Sequence, residues 1–251
     1  MLTLTIFNLI QLAVIAALLV LVKKTVKSKR GERLLLLLCA VVTVLFHYST
    51  FIFLWLTDAG ALEYLKENPN LILPIYPCNV VMWAALILPI FKNRESKAAK
   101  LFIDYIFWFG IFSTLVGMFA NVDFIMNPTL ADYDIVKSIV AHATLLFNVL
   151  LLPLFGMVRI HFLRNMKNMI LSVIAMYVIG LYCNLVFKVL VSAERAYDVN
   201  SMFIIHSPFA GLDFLTYPII AAIALFLYFS VFFICDLIKY PKGERWFNRS
   251  K

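Results

Sequence analysis

The sequence predicts an all-α polytopic membrane protein: a single domain, residues 1–251, of seven transmembrane helices, with the N-terminus outside and the C-terminus cytoplasmic. Two observations predict it. The chain is 63% hydrophobic and only 14% charged, with 23 phenylalanines, too apolar for a soluble domain whose surface must be solvated. Its basic residues also gather in alternate loops. Segments 23–33, 92–100, 159–168 and 239–251 hold 18 of the 22 Lys and Arg residues, which marks those loops as cytoplasmic and requires an odd number of spans.

A helix needs about 20 apolar residues to cross ~30 Å of hydrocarbon. Seven stretches qualify: 4–22, 34–56, 71–91, 101–120, 138–158, 169–190 and 219–238. The first has no basic residue before it, is longer than a signal core and lacks a small-residue cleavage site before Lys23, so it reads as a true span. The second carries His47 in "LFHYSTF". The third opens on "LPIYPCN", residues 73–79, and is the most irregular. Proline is accepted in the first turn of a helix and breaks it elsewhere, so this span becomes helical at Pro77 and runs extended before it. As helix, residues 77–91 reach only ~22 Å. The remaining backbone must be satisfied by protein or water at membrane depth, which implies a cavity open to the outer side.

Cys78 then stands in the first turn below that cavity, where free amides and the helix dipole stabilise a thiolate. The fifth span places His142 about one turn in, the sixth places Cys183 and Asn184 within two turns of its outer end, and His47 lies deeper. Intramembrane ionisable groups are costly and face a cavity or a partner. Cysteine and histidine at similar depth are the minimum for nucleophilic catalysis. Bland readings stand beside this one: an inert Cys78, a histidine that only bonds a neighbouring helix, or a Cys78–Cys183 disulfide. Cys39 and Cys235 read as packing residues.

Other chemistries find no signal. The scattered histidines form no zinc pattern, and the chain has neither a phosphate-cradling glycine loop nor a serine nucleophile elbow. No metal and no soluble cofactor is called for. The basic residues mark topology rather than a nucleic-acid face, and the tail "KYPKGERWFNRSK" reads as an interfacial anchor. The outer loops 57–70, 121–137 and 191–218 have an acidic bias that includes Asp58, Asp123 and Asp213.

Four segments, in order and in spacing, resemble the YwaF family of seven-span bacterial membrane proteins, which is related to a eukaryotic acyltransferase that remodels ether phospholipids. They are "LPIYPCN" at 73–79, "FWFGIFSTLVGMF…NP" at 107–128, "AHATLLFNVLLLP" at 141–153 and "CNLVFK…DVNSMFIIHSPFAGLDFL" at 183–215. The resemblance implies acyl transfer between lipids through a cysteine thioester. The family's Leu-Pro-x-x-x-Cys pattern falls on Leu73, Pro74 and Cys78, its fifth-span histidine on His142, and its later polar stretch on Asn184, Asn200 and Asp213. This chain departs from it at Tyr76, where many members have histidine, at Ser201, and in the reduced motif Thr216-Tyr217-Pro218.

Two functions follow from these readings. In the first, Cys78 attacks a phospholipid ester, His142 moves the proton, and Asn79, Asn184 or a backbone amide holds the oxyanion. Tyr76, His47, Asn200, His206 and Asp213 complete the candidate substrate site, with His47 and His206 as alternative bases. In the second, the same cavity binds or moves a small solute or lipid headgroup and Cys78 is incidental. A scaffold for a partner membrane protein is a third possibility.

Overall fold

The computed structural model describes residues 2–119, 129–207, 211–241 and 244–247. Asp123, Asn127 and Pro128, and part of the anchor-like tail, lie outside the described residues. Nine α-helices are found among those described: α1 (Leu2–Thr25), α2 (Lys29–Leu56), α3 (Ala61–Glu67), α4 (Pro77–Ile87), α5 (Lys97–Phe119), α6 (Tyr133–Leu154), α7 (Phe162–Leu190), α8 (Ala193–Val199) and α9 (Tyr217–Lys239). Six of them are long and apolar enough to span a membrane, and α4 with its 3-10 extension through Ile90 is a shorter apolar helix. The chain is thus an all-helical polytopic membrane protein of about seven spans. Below, "inner" denotes the ends that carry the basic loops.

The helices fall into two compact units, Met1–Ile72 with Pro77–Val158, and Leu73–Tyr76 with Arg159–Lys251. In the first, α6 is the central helix. It packs against α1, α2, α4 and α5, and 61% of its apolar window is buried, against 17% for α1. Small residues let these helices approach closely. A Cβ at Gly110 of α5 would come within 2.5 Å of Val149 and 3.3 Å of Val81, so α4, α5 and α6 meet at that level.

The inner end of this unit is closed by charge. Glu32, 8% exposed, accepts from Arg94 at 2.7 Å and Lys29 at 3.0 Å, while Arg33 donates to the carbonyls of Pro89 and Ile90 where the short span ends. The outer end is closed by a polar ring that links α2, α3 and α6. Lys137, 9% exposed, lies 2.6 Å from Asp134 and donates to the Thr50 and Tyr64 hydroxyls, both of which donate in turn to Asp134. A lysine this close to hydrocarbon persists because all three ammonium protons have acceptors.

The irregular third span follows its prolines from Pro77 on, but its approach is not extended from Leu71 as expected, because Pro69–Leu71 forms a 3-10 turn and Ile72 keeps a right-handed helical backbone. The helix begins at Pro77 and, because Pro89 interrupts it, gives way to a 3-10 turn over Leu88–Ile90, so the regular part is shorter than the sequence predicts. Outside the helix its carbonyls are satisfied one by one. Tyr48 OH donates to Leu71 O at 2.9 Å, and His47 Nε2 faces Asn70 O at 3.4 Å.

In the second unit, α7 packs against α8 and α9, and Ile75 is buried with Cys183, Phe187, Ala196 and Val199. A turn over Ser201–Phe203 follows α8, with Asn200, Met202 and Phe203 all at positive φ. Gly180 admits it: a Cβ there would come within 2.8 Å of Met202. At the inner end Asp236 accepts from the Trp246 N–H at 3.0 Å, and Trp246 stacks on Phe162 at 4.5 Å. The described part of the tail is thus held to α7 and α9 through Trp246.

Candidate functional site

The first unit holds Cys78, Asn79, His142 and His47. Cys78 is the second residue of α4 and a half-buried free thiol. Because Pro77 has no N–H, the first amides of the helix belong to Cys78 and Asn79, and both interact with the sulfur. The Asn79 side chain is buried, at 4% exposure.

His142 is held in one tautomer. Its Nδ1 lies 2.7 Å from the carbonyl of Ser138 one turn earlier, and since a carbonyl only accepts, Nδ1 carries the proton. Nε2 of the neutral ring then has its lone pair available, as a general base requires. The ring lies over Gly117, where an added Cβ would come within 2.2 Å of Nε2. A glycine on α5 is what gives the histidine its seat.

The same glycine contacts set the depth of the pair. Val81, Gly110 and Val149 share a level; His142 and Gly117 each lie seven residues outward of it, about 10 Å, and Cys78 lies three residues outward, about 4.5 Å. His142 is therefore about 6 Å nearer the outer end than Cys78 along the helix axes. His47 has a different occupation. Its Nε2 faces the Asn70 carbonyl and must donate to it, so the ring supports the 3-10 turn over Pro69–Leu71.

The second unit holds Tyr76, Asn184, Asn200, His206 and Asp213. Asn184 pairs with the backbone of one residue, accepting from the Ser201 N–H at 2.8 Å and donating to the Ser201 carbonyl at 3.3 Å. Asn200 accepts from the N–H groups of Ile205 and His206 and donates to the His206 carbonyl at 2.8 Å. Its left-handed backbone, φ 42°, is one that asparagine tolerates better than most residues. Ser201 Oγ and the Met202 N–H both donate to the Ile75 carbonyl, at 3.1 and 2.9 Å. The His206 ring sits against Tyr197, 4.5 Å between centroids, with Nε2 3.1 Å from the Tyr197 carbonyl. Tyr76 is half-buried with its ring 5.9 Å from that of Phe203, and Asp213 is exposed. The four cysteines are free thiols. Among the described residues no group of three or more His, Cys, Asp or Glu side chains is placed to hold a metal ion.

A family model described as the TMEM164 family matches residues 1–236. This chain belongs to the TMEM164 family. No curated protein and no solved structure matches it. The match covers both units and therefore every candidate residue named above.

Two features of this TMEM164-family chain escape sequence reasoning. Lys137 reads there as one of a few outer basic residues, yet it is buried in the ring that ties α3 to α2 and α6. Its position in a span, three residues after Asp134, was the available signal. Asn8 and Gln11, on the first span, carry no motif at all, and Asn8 is 2% exposed.

Proposed function

We propose that this chain is a lipid acyltransferase of the cell membrane that works through a thioester on Cys78, with membrane phospholipid as its substrate. The observation that carries the reading is the pairing, within one unit, of a half-buried thiol under first-turn amides with a histidine whose Nδ1–H is fixed on Ser138. The YwaF likeness of the motifs around both residues supports it, as does membership of a membrane-protein family.

The reaction begins when the Cys78 sulfur attacks an ester carbonyl of a diacyl phospholipid and its proton passes to His142 Nε2. The oxyanion forms beside the amides at the start of α4. Collapse expels the lysolipid oxygen, which takes the proton from His142, and leaves the acyl group on sulfur. An acceptor hydroxyl then reverses these steps. His47 supports the chain near Asn70, and within the second unit Asn184 and Asn200 shape the Ser201–Phe203 turn. With the basic loops on the inner side, the outer leaflet is the source of lipid in this reading.

Intact-mass spectrometry tests this. The purified protein and its Cys78→Ser variant are incubated with diacyl phospholipid and read before and after neutral hydroxylamine. A hydroxylamine-labile acyl mass on the native chain alone is the expected result. If the native chain stays unacylated under conditions that label a known thioester enzyme, the cysteine mechanism fails and binding or transport of a headgroup or solute replaces it.

A further inference from the structure

Two polar atoms on α1 have no explanation in the fold. Asn8 donates through Nδ2 to the Met118 carbonyl, an assignment fixed because that oxygen can only accept. Its Oδ1 is buried and without a hydrogen-bond partner among the described residues, and so is Nε2 of Gln11. The two side chains are three residues apart, on one side of the helix. A bundle in hydrocarbon has no water to compensate such atoms, so native structures leave few of them.

Their position is informative. Met118 follows Gly117, the residue that seats the His142 ring. On the same stretch of α1, Leu4 packs with Ile135 and Ile139, and Ile15 with Ala143 and Leu146, so Asn8 and Gln11 lie along the turns of α6 that contain His142. Gln11 is about 4.5 Å further in than Asn8, towards the level of Cys78.

An acceptor and a donor held side by side complement a group that is both donor and acceptor, which is a hydroxyl. We infer that Asn8 Oδ1 and Gln11 Nε2 bind the hydroxyl that receives the acyl group, an inference that rests on the thioester reading above. Asn8 accepts the hydroxyl proton and so turns an oxygen lone pair towards the thioester, while Gln11 donates to that oxygen. As the oxygen bonds to the acyl carbon the proton passes to His142 Nε2, the carbon–sulfur bond breaks, and the proton returns to the Cys78 thiolate. The hydroxyl is that of a lysophospholipid in transfer, or water in hydrolysis.

Full-length Gln11→Leu and Asn8→Leu proteins in nanodiscs test this against the native chain. Each is acylated with diacyl phospholipid, then given 1-acyl-lysophosphatidylethanolamine, and both new diacyl lipid and free fatty acid are measured. Gln11 Nε2 makes no hydrogen bond among the described residues, so its variant reports on the site without the Met118 contact. The expected result is that both variants still form the thioester, more slowly because the departing lysolipid oxygen passes through the same site, and that transfer falls about tenfold, through a raised KM for the lysolipid, the effect of one lost hydrogen bond. A fall in fatty acid release with unchanged transfer assigns the site to water. If both rates match the native chain in both variants, the inference is overturned and the thioester stands. If the native chain forms no thioester, the acyl-transfer reading itself falls and takes this site with it.

Discussion

Two sets of polar side chains, one in each unit, are used in opposite ways. In the second, the amides of Asn184 and Asn200 meet backbone groups at both ends, and Ser201 adds its hydroxyl to the Ile75 carbonyl. These side chains complete the hydrogen bonding of a turn that no regular helix could supply. In the first unit, His142 bonds through one nitrogen only to its own helix, and Asn8 and Gln11 keep one buried polar atom each unpaired. Polarity within a membrane span thus has two meanings, and the number of partners separates them. Groups fully engaged with backbone build shape; groups left with a free lone pair or proton are placed to meet a ligand.

The sharpest way to break this contrast is to remove the seat of His142. In Gly117→Ala the new methyl lies within 2.2 Å of Nε2, so the ring must move. Displacing a general base is expected to slow thioester formation by about 100-fold. Gly110→Ala is the control, since its methyl meets Val149 at 2.5 Å, seven residues inward of the histidine. It should destabilise the bundle by about 1–3 kcal/mol while leaving the rate per folded molecule near native. Equal rates in the two variants would remove His142 from the mechanism.

A smaller effect, of a different kind, is expected at Asn200. Asn200→Ala removes the bonds to Ile205 and His206 and leaves alanine at φ 42°. At roughly 1 kcal/mol for each of the two shorter bonds, with about 1 kcal/mol more for the left-handed backbone, the loss is about 3 kcal/mol. A melting temperature in detergent lowered by roughly 6–12 °C would agree with it. Thioester formation by the folded fraction should not change. Were the rate to fall with stability intact, Asn200 would move from shaping the turn to handling substrate.

What the sequence made legible follows from how each feature is encoded. Spans are written in local composition, so the helices of the bundle and the start of α4 at Pro77 could be read directly. The end of α4 could not, because Pro89 sits in an apolar run that hydropathy alone continues to residue 91. The site was half legible. Cysteine and histidine announce themselves by chemistry, but the seat of His142 depends on the register of α5 against α6, which no local pattern specifies. Asn184 and Asn200 looked like ligand-facing amides because sequence shows a side chain and not its partners. Asn8 and Gln11 went unnoticed for the same reason.

The least effect is expected where a single hydrogen bond supports the chain before α4. Tyr48 OH donates to the Leu71 carbonyl at 2.9 Å, and its neighbour His47 faces Asn70 in the same stretch. Tyr48→Phe keeps the ring, which packs edge-on to Trp83 at 6.3 Å, and removes only the hydroxyl. With one neutral hydrogen bond lost, the destabilisation should be about 1 kcal/mol, a shift of roughly 2–4 °C in melting temperature. Because Leu71 lies on the chain that leads into Cys78, the same variant also asks whether that support matters to the chemistry. A melting shift of this size with a native rate of acylation makes Tyr48 a builder, like the asparagines of the second unit. A native melting temperature with slowed acylation would place that stretch of chain itself among the parts that meet substrate, and the division drawn between the two kinds of polar residue would have to give way there.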